Sequence, residues 1–362
     1  MIRRVLLTIA AVLTLPMWVG QAAERDKVLL GYVFGTPAKI NYDLYTHLCH
    51  AFIVAKKDGK LIPQDNVPSR QLTTEAHQAG VKVLLSLGGW GWDANFAAMS
   101  LDPTAEDRYV DAVVRLVDEF DYDGIDLDWE YPDTNIEIVG FERLTRKFRK
   151  QLDALESRKH RPMLTTMAAA AHPKTLEWLI NEFLLETMDW VNVMTYDYYG
   201  SWATCAGHHS PLFVSSQMPL RDQLSTASSI KYLLDRKLPP DRIALGIPLY
   251  GRAFGVDEPY ADTAGAPKPS RESYNYKQIA SLLKDSGWIR QWDGETKNPW
   301  LIARDGSEIV GYDDAESVAI KTRWAVDQGL RGVFFWQVDA DRLPDGTNPL
   351  QEVAAKNLSA SK

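Results

Sequence analysis

Three acids share one parity in the stretch from Asp123 to Pro132, which reads Asp-Gly-Ile-Asp-Leu-Asp-Trp-Glu-Tyr-Pro. Asp126, Asp128 and Glu130 alternate with Ile125, Leu127 and Trp129. That is the period of a β-strand, so the carboxyls face one side and the apolar groups the other. Same-face neighbours on a strand stand roughly 6.5–7 Å apart. Carboxylates that close repel, so at least one of them holds a proton near neutral pH. A proton donor beside fixed negative charge is the equipment for general acid catalysis with stabilisation of a developing positive centre. Glu130 closes the row at the carboxyl end, where a cleft would open, and is the candidate acid. Asp128 is its neighbour, and Asp126, deeper, is placed to share a proton with Asp128 and tune its charge. Asp123 has the opposite parity, precedes the strand and reads as structural.

Other motifs stand at the ends of apolar runs. Ser86-Leu-Gly-Gly-Trp90 ends one run and Met194-Thr-Tyr196-Asp197 another. Tyr250-Gly-Arg252 follows a third, while Tyr32 and Trp336 close the first and last. With the Asp-x-x-Asp-x-Asp-x-Glu pattern ending at Glu130, these segments resemble the boxes of the chitinase-like glycoside hydrolases called family 18, in order and over most of the chain. The resemblance implies cleavage of β-1,4-linked N-acetylglucosamine in chitin or its oligosaccharides, with retention and with the substrate's own acetamido group as nucleophile. It implies Glu130 as general acid and base, Asp128 orienting the acetamido N–H, Asp126 tuning Asp128, and Tyr196 donating to the acetamido oxygen. It implies sugar contacts from Phe52, Gly89, Trp90, Tyr131, Met194, Asp197 and Trp336, with Trp336 as the hydrophobic floor and Trp90 as a stacking surface, and Tyr32, Ser86, Tyr250 and Arg252 as either cleft contacts or supports behind them. The segment Trp202–Pro211 departs from the family pattern at Cys205 and His209, which bears on the rim of the cleft.

Such residues need a scaffold that presents strand ends on one side. β-rich apolar runs occur at Val28–Phe34, His47–Val54, Val81–Leu87, Gly124–Trp129, Met163–Ala168, Trp190–Thr195, Ile243–Leu249 and Gly332–Gln337. Helical patterns lie between them at Thr104–Phe120, Val139–Leu155, Thr175–Leu185, Leu224–Leu234 and Asp314–Gln328. Eight strands alternating with helices predict an α/β fold, a (β/α)8 TIM barrel with its chemistry at the carboxyl ends of the strands. An open doubly wound sheet would need a glycine-rich phosphate turn, which Gly31-Tyr-Val-Phe-Gly35 is not. The stretch 254–309 breaks the rhythm and resembles the family's small α+β insertion between the seventh and eighth strands, with a short helix near Tyr276–Asp285. As one wall of the cleft it offers Trp288, Trp292 and Trp300, for which core roles are at least as natural. The barrel is then 23–253 together with 310–362.

The 362 residues carry a net charge of −8, which excludes a basic nucleic-acid footprint and suits a neutral polymer. Twelve tryptophans and fifteen tyrosines supply stacking surfaces as well as core. Met1-Ile-Arg-Arg followed by the apolar run Val5–Val19 and Gly20-Gln-Ala22 has the plan of a cleavable signal peptide over residues 1–22. That predicts a secreted or periplasmic protein with no membrane contact after cleavage, acting as a monomer. Cys49 and Cys205 are the two cysteines, and Cys49 in a strand reads as a buried free thiol rather than half of a bridge. His208 and His209 are adjacent, without metal-pair spacing, so a loop role is expected, with no metal and no cofactor. Two other readings share the barrel. A non-catalytic chitin-binding lectin would lack an acid at position 130. An endo-β-N-acetylglucosaminidase of N-glycan cores would keep the acids but often lack the insertion and the Tyr-Gly-Arg box.

Overall fold

A computed structural model of the chain describes residues 27–36, 39–219 and 224–359. The signal-peptide segment lies outside them. Eight parallel strands close on themselves: β1 Val28–Phe34, β2 His47–Ala55, β3 Lys82–Gly88, β4 Gly124–Asp128, β5 Leu164–Ala170, β6 Trp190–Met194, β7 Ile243–Pro248 and β8 Gly332–Trp336. β1 pairs with both β2 and β8, so the predicted (β/α)8 barrel is closed. The alternation read from sequence resolves into two layers. Ile125 and Leu127 belong to the cluster between strands and helices, while Asp126 shares the barrel interior with Tyr32 and Trp190. Parallel strands covered on both faces must be apolar nearly throughout, and only inward positions near the carboxyl ends are spared that demand.

Helix starts follow capping chemistry. Asp102 caps Pro103–Glu119 through the Thr104 amide, Thr134 and Glu137 form a capping box on Asn135–Lys159, and Asp314 with Ser317 does so on Ala315–Asp327. The helix starts at Asn135, four residues before the predicted start at Val139, because the first helical turn is solvated and lacks the apolar stripe. The predicted helix 175–185 is two pieces, Pro173–Leu176 and Asn181–Thr187. Strand β4 stops at Asp128, so Trp129 and Glu130 lie beyond it, in the loop above the barrel.

Between β7 and β8 a five-stranded antiparallel sheet interrupts the rhythm, in the order Ser273–Asn275, Tyr250–Phe254, Ile309–Gly311, Asn298–Ala303, Trp288–Asp293, with a helix at Tyr276–Leu282. This sheet reaches past 254–309 on both sides, taking in Tyr250 to Ala253 and Val310 to Gly311. It packs on the loop after β6 through Phe254, Trp300 and Ile309 against Tyr199, Cys205 and Ala206. Trp300 is 1% exposed and its ring lies 3.9 Å from that of His208. It is therefore a core residue of this junction, not a cleft contact. Below it, the buried Lys321 ammonium meets Asp313 at 2.6 and 2.7 Å, and Asp313 also accepts from Ser317 and Asn298. Cys49 and Cys205 are both buried thiols.

Candidate active site

Asp126 is the anchor of the acid row. Its Oδ2 accepts from the Tyr32 hydroxyl (2.9 Å) and Ser86 Oγ (2.8 Å), and its Oδ1 from Thr166 Oγ1 (2.6 Å) and Asn192 Nδ2 (3.1 Å). Burial raises its proton affinity above that of an ordinary carboxyl, and these four hydrogen bonds oppose the rise without cancelling it. Asp128, opposed by the charges of both neighbours, is pushed further in the same direction, so the proton of the row leans toward Asp128 and Glu130. Tyr32 and Ser86, read as either cleft contacts or supports behind them, are fully buried and direct their hydroxyls to Asp126. They position the acids from below.

Asp128 is buried and its Oδ1 has no hydrogen-bond partner. Burial first, then the charges of Glu130 and Asp126, push its proton affinity well above the usual carboxylate range. The Gly88-Gly89 pair makes its position possible. A Cβ on Gly88 would fall 2.2 Å from the Asp128 carbonyl oxygen, and the Gly89 amide donates to that oxygen at 2.7 Å. Gly89 in turn lies under the Phe52 ring, where a Cβ would come within 2.6 Å.

Glu130 stands above, half-buried, and accepts from the Tyr131 hydroxyl at 3.1 Å. Burial raises its pKa to about 7, with the Tyr131 bond opposing and the charge of Asp197 adding. Asp197 is held by a bidentate pair with Arg252 (2.8 and 2.7 Å), and the buried His209 ring comes within 3.4 Å. Burial works against the Asp197 charge, but His209 and Arg252 outweigh it and hold the carboxyl far below the usual range. Asp123, by contrast, accepts from the Val83 amide and His77 at the other end of β4, a structural role.

The Tyr196 ring packs edge-on against Tyr250 and Phe334, within electrostatic reach of Asp128, Glu130 and Asp197. Trp336 forms an aromatic floor, stacked on Phe52 (5.8 Å, 19°) and tilted against Tyr32 and Phe34. Met194 is nearly buried in the barrel-interior cluster that Tyr131, Tyr196 and Trp336 pack against. On the rim, Trp90 is 79% and Trp202 59% exposed, and the Arg252 guanidinium lies over the rings of Trp202 and Tyr250 at 5.2 Å each. Thr166 and Asn192 are parts that motif reading left out, and His209 and Trp202 entered it only within the rim segment Trp202–Pro211, without a role. Inward parity was the available signal for two of them: Asn192 is in phase with Met194, and Thr166 with Ala168. Among the described residues, no group of His, Cys, Asp and Glu is arranged to hold a metal ion, and no helix is long and apolar enough to cross a membrane.

The family model described as "Glycosyl hydrolases family 18" matches residues 18–341. A class V chitinase of Arabidopsis thaliana is 31% identical over 316 residues, covering 83% of this chain and 82% of its own. The class V chitinase of Nicotiana tobaccum in complex with NAG4 superposes with a TM-score of 0.82 at 25% identity, covering 93% of this chain and 100% of that one. A GH18 chitinase from Cycas revoluta in complex with (GlcNAc)4 does so with a TM-score of 0.80 at 27% identity, over 92% and 99%.

Proposed function

The chain belongs to glycosyl hydrolases family 18 and is a glycosidase of the chitinase type; from that premise we propose that it cleaves β-1,4-linked N-acetylglucosamine in chitin or chito-oligosaccharides, with retention, by substrate assistance. The observation that carries this reading is the pair of inequivalent acids at the top of β4. Glu130 is poised near neutrality to give a proton, and Asp128, buried with an unfilled oxygen, is poised to accept one hydrogen bond from a ligand. In the first step the acetamido carbonyl oxygen attacks the anomeric carbon while the bond to the leaving sugar breaks. The leaving oxygen takes the Glu130 proton. Asp128 holds the acetamido N–H and balances the positive charge of the oxazolinium ring, and Tyr196 donates to the acetamido oxygen. In the second step water gives its proton back to Glu130 and opens the ring from the same face. Trp336 and Phe52 form the apolar surface under the sugar, with Trp90, Trp202 and Arg252 toward the rim.

The test is product analysis on chitotetraose, on partly acetylated chitosan and on a high-mannose glycopeptide. Chitotetraose should be cut, the glycopeptide should not, and every new reducing end from chitosan should carry an N-acetyl group. Frequent glucosamine at the new reducing ends would rule out substrate assistance, and cleavage confined to the glycopeptide would rule out the substrate class. We also infer export, from the basic start and apolar run of residues 1–22. Amino-terminal sequencing of the exported enzyme should start at Ala23 or Glu24, and an intact Met1 would refute cleavage.

A further inference from the structure

Beneath the acids lies a side chain that belongs to none of the motifs. Asn192 is fully buried on β6, in phase with Trp190 below it. Trp190 Nε1 donates to Asn192 Oδ1 at 2.8 Å. An indole N–H only donates, so the amide carbonyl must face it and the NH2 group must face the other way. There it meets Asp126 Oδ1 at 3.1 Å and the Tyr32 hydroxyl at 3.3 Å. Having accepted from Asn192, the Tyr32 hydroxyl directs its own hydrogen to Asp126 Oδ2. One amide therefore aims two of the four donors at Asp126. The Ser86 and Thr166 hydroxyls can rotate and accept from a protonated carboxyl, whereas an amide NH2 cannot accept at all.

We propose that Asn192, turned by Trp190, is a positioning residue of the reaction: it favours the ionised form of Asp126, so that the proton of the acid row is drawn toward Asp128 and Glu130. The inference rests on the hydrolytic reading above and adds the device that places the proton. The titratable groups facing Asp126 are Tyr32 from β1, Cys49 from β2 and Asp128 from its own strand, none of them a cation. Hydrogen bonds from neutral groups thus carry much of the work of stabilising its charge in a dry interior.

The experiment is the pH dependence of kcat and KM on chitotetraose for the wild type, Asn192→Leu and Asn192→Asp, with thermal unfolding of each. Asn192→Leu removes the obligate donor, so Asp126 takes up a proton more readily. The acid limb of kcat should move up by about one pH unit, with optimal turnover down about tenfold and KM within about twofold. Asn192→Asp can donate one hydrogen bond to Asp126 while its carboxyl is protonated, and it repels Asp126 once ionised. Its activity should survive on the acid side, and its alkaline limb should move down. A side chain that merely fills space would scale kcat without moving either limb. Limbs that coincide with wild type in both variants overturn the proposal, and if Asn192→Leu does not fold, Asn192→Asp alone decides. A wild type inert toward chitotetraose would overturn the hydrolytic reading itself, whereas unshifted limbs in an active enzyme overturn only the role of Asn192.

Discussion

Glu130 and Asp128 are two residues apart, yet the fold gives them different surroundings: one is partly exposed beside Tyr131, and the other is sealed with an oxygen that accepts no hydrogen bond. Glu130→Gln keeps the shape and loses the proton, so turnover should fall at least about 10²-fold while oligosaccharide affinity survives. Near-normal turnover on chitotetraose would show that another group is the acid. The same variant tests linkage. The folded pKa of Glu130 is about 7, above its unfolded value, so the stabilisation of the folded state by its proton is complete below the unfolded value and is lost as pH rises through about 7. Relative to wild type, Glu130→Gln should therefore gain stability between pH 4 and pH 8, on the order of 2 kcal/mol for a partly exposed group. Equal stability differences at the two pH values would contradict the raised pKa. Asp197 adds to that raise through its charge, so Asp197→Asn should move the alkaline limb of kcat/KM to lower pH, measured in the same assay. A limb that stays put would mean that the Asp197 charge is already neutralised by Arg252 and His209.

At the scale of elements, two junctions hold the acids in place. Where β3 meets β4, backbone comes so close to backbone that no side chain fits: Gly88 has φ +118° and its Cβ would strike the Asp128 carbonyl. Gly88→Ala should cost about 1–3 kcal/mol through overpacking and strain, and it should lower kcat by shifting Asp128. Denaturant unfolding and kinetics on the same preparation check both, and a fully active, equally stable variant would refute the close approach. The second junction is the Lys321–Asp313 pair, which ties the helix Ala315–Asp327 to Ser210 in the loop after β6. Lys321→Met leaves Asp313 as an uncompensated buried charge and should cost about 3–5 kcal/mol, whereas Lys321→Met combined with Asp313→Leu should recover much of that loss. Additive losses in a double-mutant cycle would argue that the two do not act as a pair.

The whole molecule is a barrel whose insertion is not a detachable wall. Phe254, Trp300 and Ile309 form one core with Tyr199, Cys205 and Ala206 from the loop after β6, the loop that also brings His209 to Asp197. Excising residues 256–308 with a short linker should therefore lower the melting temperature and activity on all oligomers together. A deletion that weakens binding of long oligomers alone, with unchanged melting, would restore the picture of an independent cleft wall. Tyr250 and Arg252 lie on the first strand of this sheet, which is why the insertion contributes to the site as well as to its surroundings.

The carboxylate row, its parity, the order of the boxes and the eight-strand rhythm were all legible in the sequence, because alternation and punctuation are local properties of the chain. Even Asp123 declared its structural part by being out of phase. What the sequence could not decide was which carboxyl keeps a proton, since that depends on donors brought from β1, β3, β5 and β6: Tyr32, Ser86, Thr166 and Asn192 are distant in sequence and converge only when the barrel closes. For the same reason Tyr32 and Ser86 read as cleft contacts or as supports until their hydroxyls are seen on Asp126, and Trp300 reads as surface or core until the insertion folds back on the loop after β6. Residue type and spacing determined the chemistry available; burial and the meeting of distant donors, which exist only in three dimensions, decided where each charge resides.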